Sequence, residues 1–482
     1  MFLGIDLGTS GVRLLLTDAD QTVIGAAEGP CTVRHPHPGW SEQDPKTWID
    51  ATRAAMAALR ADHAPALAAL KGIGLSGQMH GAVLLDEGGA VLRPAILWND
   101  TRAHAEARAL DADPVMREAS ANVVFPGFTA PKLVWLRQNE PEVFDRVATV
   151  MLPKDYLTFW MTGRRVTDMS DAAGTSWLDV ARRGWSEAAL AATGMTALQM
   201  PDLVEGTEIV GALRPEVAQD LGLPMGVPVV AGGADNAVAA CGVGALTAGQ
   251  GFVSLGTSGV LLAARDDFGA DPGSAVHSFC HAVPGRWYQM GVILAATDSL
   301  NWLAHITGKT PADLTQTLGA LGMPGTLRFA PYLSGERTPH NDSAIRAAFT
   351  GLDIAHRPED LARAVVEGVS FALRDCQQAL AATGTRLDQC LAIGGGTRSR
   401  YWVELLATVL NQPLDLPAAG EFGAALGAVR LAICGTTGAA PETVMTRPEI
   451  AETVAPRADL VPAYDAAYAH WRGLYPSLRA LT

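Results

Sequence analysis

The residues best suited to chemistry in this 482-residue chain stand at the ends of short apolar runs. The hexapeptide LGTSGV occurs at residues 7–12 and again, letter for letter, at 255–260. The turn of Gly8, Thr9 and Ser10, like its copy of Gly256, Thr257 and Ser258, offers backbone N–H groups with little side chain in the way. That suits the close approach of phosphate oxygens. Either copy alone reads as an ordinary hairpin turn. Two copies, about half the chain apart, fit one ligand gripped from both sides by a duplicated domain. They differ in one place, since Asp6 precedes the first and Ser254 the second. A single carboxylate fits a nucleotide–metal site with one Mg2+ at Asp6, whereas a second acid would crowd charge against a triphosphate.

The stretch VVAGGADNAVAA at 229–240 delivers Asp235 and Asn236 to the mouth of a small-residue helix. Asp is a favoured N-cap, so a capping role stays open. A carboxylate after a buried strand also sits where α/β sheets place their ligands, and phosphoryl transfer needs a base for the attacking hydroxyl. Asp235 is the candidate base. In IGGGTRSRYW at 393–402, Gly394, Gly396 and Ser399 nearly fill G-x-G-x-x-G/A, and Asp415 follows at about the distance of a ribose-binding acid. Ser at the third glycine and the late position weigh against a dinucleotide site. The other reading makes Gly394, Gly395 and Gly396 a shelf against adenine or ribose, with the helix of EFGAALGAVRLA at 421–432 packed beside it.

SGQMHG, with Gln78, Met79 and His80, and LWNDTR, with Trp98, Asn99, Asp100 and Arg102, could line the pocket of a polyhydroxylated substrate. A lone His is more often structural, and no second His or Cys stands at metal-ligand spacing, which disfavours zinc. GERTPH at 335–340 reads as a loop with a structural ion pair. G-x-S-x-G and G-x-x-x-x-G-K-[ST] are both missing.

Alternating strands and helices must position these groups, which makes the class α/β. Residues 2–7 and 12–17 form a first hairpin that VIGAAEG extends. WSEQDPKTWIDATRAAMAALR is a helix with Asp44 as N-cap and Pro45 at its first position. LKGIGLSGQMHG is a strand ending in a loop, RPAILWNDTRAHAEARAL a strand feeding a helix, and VPVVAGGADNAVAACGVG a strand, turn and helix. The plan restarts near Gly251, and DLARAVVEGVSFALRDCQQAL is an amphipathic helix. The expected units are 1–247 and 248–482.

The length exceeds what one hydrophobic core serves, and 48% hydrophobic against 18% charged residues describes a well-packed globular protein. A net charge of −14 argues against sequence-independent nucleic-acid binding. Six cysteines without a CxxC pair read as reduced, buried thiols. No basic region precedes an apolar N-terminal core, and no run nears ~20 apolar residues, so the expectation is a soluble, cytoplasmic protein without a membrane partner. Oligomeric state is not legible, and a homodimer stays open.

GIDLGTSGV, PHPGWSEQDP, SGQMHGAVLLD, RPAILWND, PGFTAPKLVW, LPKDYL, DMSDAAGTSWLDV, GADNA, SLGTSGV, YLSGERTPHND and IGGGTRS follow in order from residue 4 to 399. With this set the chain resembles the FGGY family of carbohydrate kinases. The resemblance implies two actin-like (ribonuclease-H-like) domains with ATP in the cleft between them. It implies that Asp6 helps hold Mg2+ and the nucleotide, and that Met79 and His80 contact the sugar, with Gln78, Trp98 and Asn99 as further candidate sugar ligands from the same polar stretches. Asp235 would be the general base and Asn236 a ligand of sugar hydroxyls. The turns at 8–10 and 256–258 would meet ATP phosphates, and Gly394 to Gly396 would back the adenosine. QMHG with GADNA points to D-xylulose over glycerol or gluconate. The expected reaction is ATP-dependent formation of D-xylulose 5-phosphate, with ribulose or arabinitol as rival substrates. An actin-like ATPase without a sugar, and more remotely a nicotinamide oxidoreductase, are the readings from other classes.

Overall fold

The structure, a computed structural model, describes residues 1–418 and 423–481. Two mixed sheets repeat one strand order. In the first, Val23–Pro30, Gly11–Thr17 and Phe2–Leu7 run antiparallel in sequence, then Gly72–Gly77 and Pro228–Val230 join in parallel, and Ile209–Ala212 closes the edge antiparallel. In the second, Trp287–Ile293, Gly259–Arg265 and Gly249–Leu255 are followed by Leu387–Ile393 and Leu414–Pro417 in parallel and Ile450–Val454 antiparallel. His277–Cys280 adds one further edge strand to the second sheet. The two closing strands differ in chain order: Ile209–Ala212 comes before its neighbour, Ile450–Val454 after it. The LGTSGV repeat thus marks two equivalent hairpins, each at the start of its sheet.

Apolar patterning sets the layers. Asp44 caps the helix Pro45–Leu67 by accepting from Lys46 N at 2.9 Å. Its Trp48, Met56 and Leu59 bury against Ile5, Leu14 and Leu16 of the first sheet. On the far side, the helices Pro358–Ala382 and Arg400–Leu410 cover the second sheet through Phe371, Leu406 and Val253. Between the sheets lies a shared core built on the helices Asp235–Val243 and Gly423–Thr437. The strand expected in RPAILWND is only Ala95–Ile96, because the segment beyond it is organised by the Asp100 carboxylate. That carboxylate accepts from Ser41 N at 2.6 Å and from the Arg102 side chain at 2.7 Å. Among the described residues no helix is long and apolar enough to cross a membrane.

The helix of EFGAALGAVRLA is described from Gly423, its first two residues lying outside the described range. Its place corrects the expectation that it packs beside the glycine shelf. It lies on the first sheet and against the helix Asp235–Val243, with contacts of backbone on backbone. A Cβ on Gly4 would come within 2.1 Å of Ala425 O, and one on Gly74 within 2.0 Å of Ala428 O. Small residues on both surfaces permit the approach, and no short-range pattern reveals which surface a small-residue helix will meet.

Candidate active site

Strand register assembles the acidic centre. Asp6 pairs with Ser76 across the sheet, and Gly233–Ala234 pairs with Ser76 and Gly77 from the opposite side. Asp235 follows at once. It does not cap its helix: Ala234 holds the cap position and Asp235 is the first helical residue. Its Oδ1 accepts from Asn236 N at 2.7 Å and Asn236 Nδ2 at 2.9 Å. Its Oδ2 has no hydrogen-bond partner among the described residues. Burial first, and the neighbouring Asp6 charge second, push the Asp235 carboxyl up to about 7. Burial likewise raises Asp6, against smaller opposing pulls from Ser76 and Arg13. Two mutually repelling carboxyls with hard oxygen donors form a surrounding that a divalent cation would relieve.

The first hairpin turn is tied to the residues after Gly72–Gly77. Thr9 Oγ1 donates to Gln78 Oε1 at 2.8 Å and accepts from Trp98 Nε1 at 2.9 Å. Gln43, not singled out in the sequence, completes the network: its Nε2 donates to Thr9 O at 2.7 Å, and its Oε1 accepts from Trp48 Nε1 at 2.9 Å and Gln78 Nε2 at 3.2 Å. Gln43 is fully buried. The available signal was an uncharged polar residue directly ahead of the Asp-Pro helix start. Replacing Gln43 by Leu strands the Thr9 carbonyl and the Trp48 N–H, so a loss of about 2–3 kcal/mol in urea unfolding is expected.

His80 takes φ 70°, and its carbonyl accepts from Lys132 Nζ at 2.8 Å and Thr129 Oγ1 at 3.1 Å. Its Nδ1 donates to Gly174 O at 2.7 Å, and its ring stacks on Phe128 at 4.4 Å. Burial pushes His80 down to about 3, so the ring is neutral and Nε2 is a bare acceptor. Lys132, buried between carbonyls, is lowered to about 7 by the same cause. Met79 is buried beside this group. Asn99 does not join it: the side chain is exposed and opens on a separate hollow with His35–Ser41.

The second turn is held by the helix Thr297–Thr307. Thr297 N and Oγ1 donate to Gly256 O at 2.9 and 2.8 Å, and Ala296 N to Thr257 O at 2.8 Å. Gly394, at φ 92°, packs so closely on Leu255 that a Cβ would lie 2.8 Å from its backbone, whereas a Cβ on Gly395 would meet nothing. Strand end, turn and glycine shelf therefore form one unit. Beside it opens a cavity of about 660 Å³ lined by Thr297, Asn301, Gly395, Gly396, Ser399 and Tyr401. The dinucleotide reading loses its acid here, because Asp415 is bound to Arg447 at 2.8 Å and Thr453 at 2.6 Å. The ion pair expected in GERTPH is not formed: Glu336 accepts from the backbone N–H groups of Leu294 and Arg337. The Arg337 guanidinium lies over Phe125 instead, 4.7 Å from the ring centroid.

A turn of small residues on each sheet, a carboxyl pair beside the first, and a cavity beside the second are the parts of a phosphoryl-transfer site. Models of the N-terminal and C-terminal domains of the FGGY family of carbohydrate kinases match residues 1–242 and 251–435. The chain belongs to this family and is a sugar kinase. Its relatives include the xylulose kinase of Escherichia coli (strain K12), 51% identical over 90% of this chain and 89% of its own. The crystal structure of a xyloylose kinase from Brucella ovis superposes with a TM-score of 0.98 at 54% identity, covering 100% of this chain and 99% of that one. That of xylulose kinase from Rhodospirillum rubrum gives 0.92 at 31%, with 99% of both chains covered.

Proposed function

We propose that the chain transfers the γ-phosphoryl group of ATP to the terminal hydroxyl of D-xylulose, forming D-xylulose 5-phosphate. The observation that carries the mechanism is Asp235, whose Oδ1 is fixed by Asn236 while Oδ2 stays open and the carboxyl is tuned to about 7. A base near neutrality takes a hydroxyl proton with little waste of driving force. The substrate rests on the names of the relatives and on QMHG with GADNA. Gln78, Met79, His80, Trp98 and Asn236 orient the sugar, the neutral His80 Nε2 accepting from a hydroxyl. Asn99 is left out because it opens elsewhere. Asp6 would hold Mg2+, which when bound offsets phosphate charge. The Gly8–Ser10 and Gly256–Ser258 turns receive the phosphates, and the cavity beside Gly394–Gly396 receives adenosine. The two units are 1–247 and 248–482, in a cytoplasmic enzyme.

ADP release with Mg-ATP, alone and with D-xylulose, D-ribulose, D-arabinitol or glycerol, tests this reading. Strong dependence on D-xylulose is the expected result. A preference for another sugar moves the substrate, and release indifferent to every sugar removes the sugar pocket. The shelf has its own check. Because a Cβ at Gly395 meets open space, Gly395→Ala should fold normally. It should nevertheless raise KM for ATP about tenfold, the size of a modest steric clash with a bound ligand, and leave KM for the sugar unchanged. An unaltered ATP KM would remove Gly395 from the adenosine site.

A further inference from the structure

Behind the segment that carries Asp235 lies a sealed charged cluster that the transfer reaction leaves unused. Lys154 and Asp155 come from the helix Pro153–Thr162, Asp168 ends the strand Val166–Asp168, and Ser170 and Asp171 follow in the turn of helix Met169–Ala172. All five are buried. Lys154 Nζ stands 2.6 Å from Asp155, 3.1 Å from Asp168 and 3.9 Å from Asp171. The three carboxyls stand close together, and the Lys154 ammonium lies among them and offsets their charge.

Its contacts run to the backbone ahead of Asp235. Ser170 Oγ accepts from Ala234 N at 3.0 Å and donates to Asp168 Oδ2 at 2.5 Å. Lys154 Nζ reaches Ala231 O at 3.4 Å. The strand Gly233–Ala234 is two residues long and, among the described residues, pairs with one neighbour, so the ladder gives it few hydrogen bonds. Ser170 supplies what a second neighbouring strand would. Buried charges are poor stabilisers compared with apolar residues of equal volume. Apolar side chains, however, could not bond both ends of Ala231–Ala234 and so fix where the next residue points.

We propose that Ser170, held by Asp168, which Lys154 in turn pairs, is a positioning residue that aims Asp235 at the sugar hydroxyl. This rests on Asp235 being the general base. Ser170→Ala should lower kcat about tenfold, within what a displacement of under 1 Å costs. Both KM values should stay within twofold and the melting curve should remain cooperative. Asp168→Asn, which keeps the shape of the side chain, should act in the same direction and carries the test if Ser170→Ala does not fold. In an Asp235→Asn background, Ser170→Ala should cost nothing further, because the group it aims is gone. An equal additional loss there would overturn the proposal in favour of a general structural role. Full activity of Ser170→Ala, with Asp235→Asn still inactive, would overturn it and leave the base assignment standing. Near-normal activity of Asp235→Asn would remove both.

Discussion

Asp235→Asn is expected to lower turnover by about 10²–10⁴-fold, the usual contribution of a positioned general base. Asn keeps the shape and one acceptor oxygen for the Asn236 N–H groups, so sugar and ATP should still bind. Steady-state kinetics with D-xylulose would separate the two: a fall in kcat at nearly constant KM supports the assignment, and a rise in KM alone contradicts it. The wild-type kcat/KM should climb with pH through an inflection near 7, where the Asp235 carboxyl ionises in the free protein. That inflection should vanish in the variant.

Stability should move the other way. The folded-state pKa of Asp235 is raised, from the ordinary carboxylate range to about 7. The folded protein therefore binds this proton more tightly than the unfolded chain, and the residue's contribution to stability falls as pH rises from about 4 through 7. Above 7 the penalty is complete, and Asp6 feels the like charge as well. Asp235→Asn should accordingly melt above wild type at pH 8, with the difference shrinking toward pH 5. A variant that melts lower at pH 8 would show that the carboxylate is structurally satisfied and not held in reserve for chemistry.

The second large effect is expected at Gly427, in the helix that crosses to the first sheet. A Cβ there would stand 1.8 Å from Val238 O and 2.7 Å from Val238 C, both backbone atoms of the helix that begins at Asp235. Backbone cannot turn aside as a flexible side chain can, so Gly427→Ala must push the two helices apart. A loss of about 3 kcal/mol is expected, the upper end of overpacking costs. Turnover should fall with it, since the displaced helix carries Asp235. Gly184→Ala is the control, because a Cβ there meets nothing within 4 Å. Urea midpoints read the difference, and equal midpoints for the two variants would refute close backbone contact between the helices.

The sequence by itself determined the parts whose physics is local. The LGTSGV turns are hairpins because glycine and hydroxyl residues bracketed by apolar runs have few other conformations, and the Asp44–Pro45 start is a helix cap for equally short-range reasons. The duplicated plan was legible because the repeat opens both sheets. The tertiary structure decided which partners these parts meet. It moved the helix at Gly423 onto the first sheet, turned Arg337 away from Glu336 toward Phe125, and left Asn99 outside the Thr9–Gln78–Trp98 network. It also gave Gln43, Lys132 and the Lys154 cluster partners that their own stretches of sequence did not name. A buried polar group is placed by what satisfies it, and the partners that fix these placements, Thr9 and Gln78 for Gln43, His80 for Lys132 and Ala231 for Lys154, stand 34 to 77 residues away, beyond the reach of any local pattern.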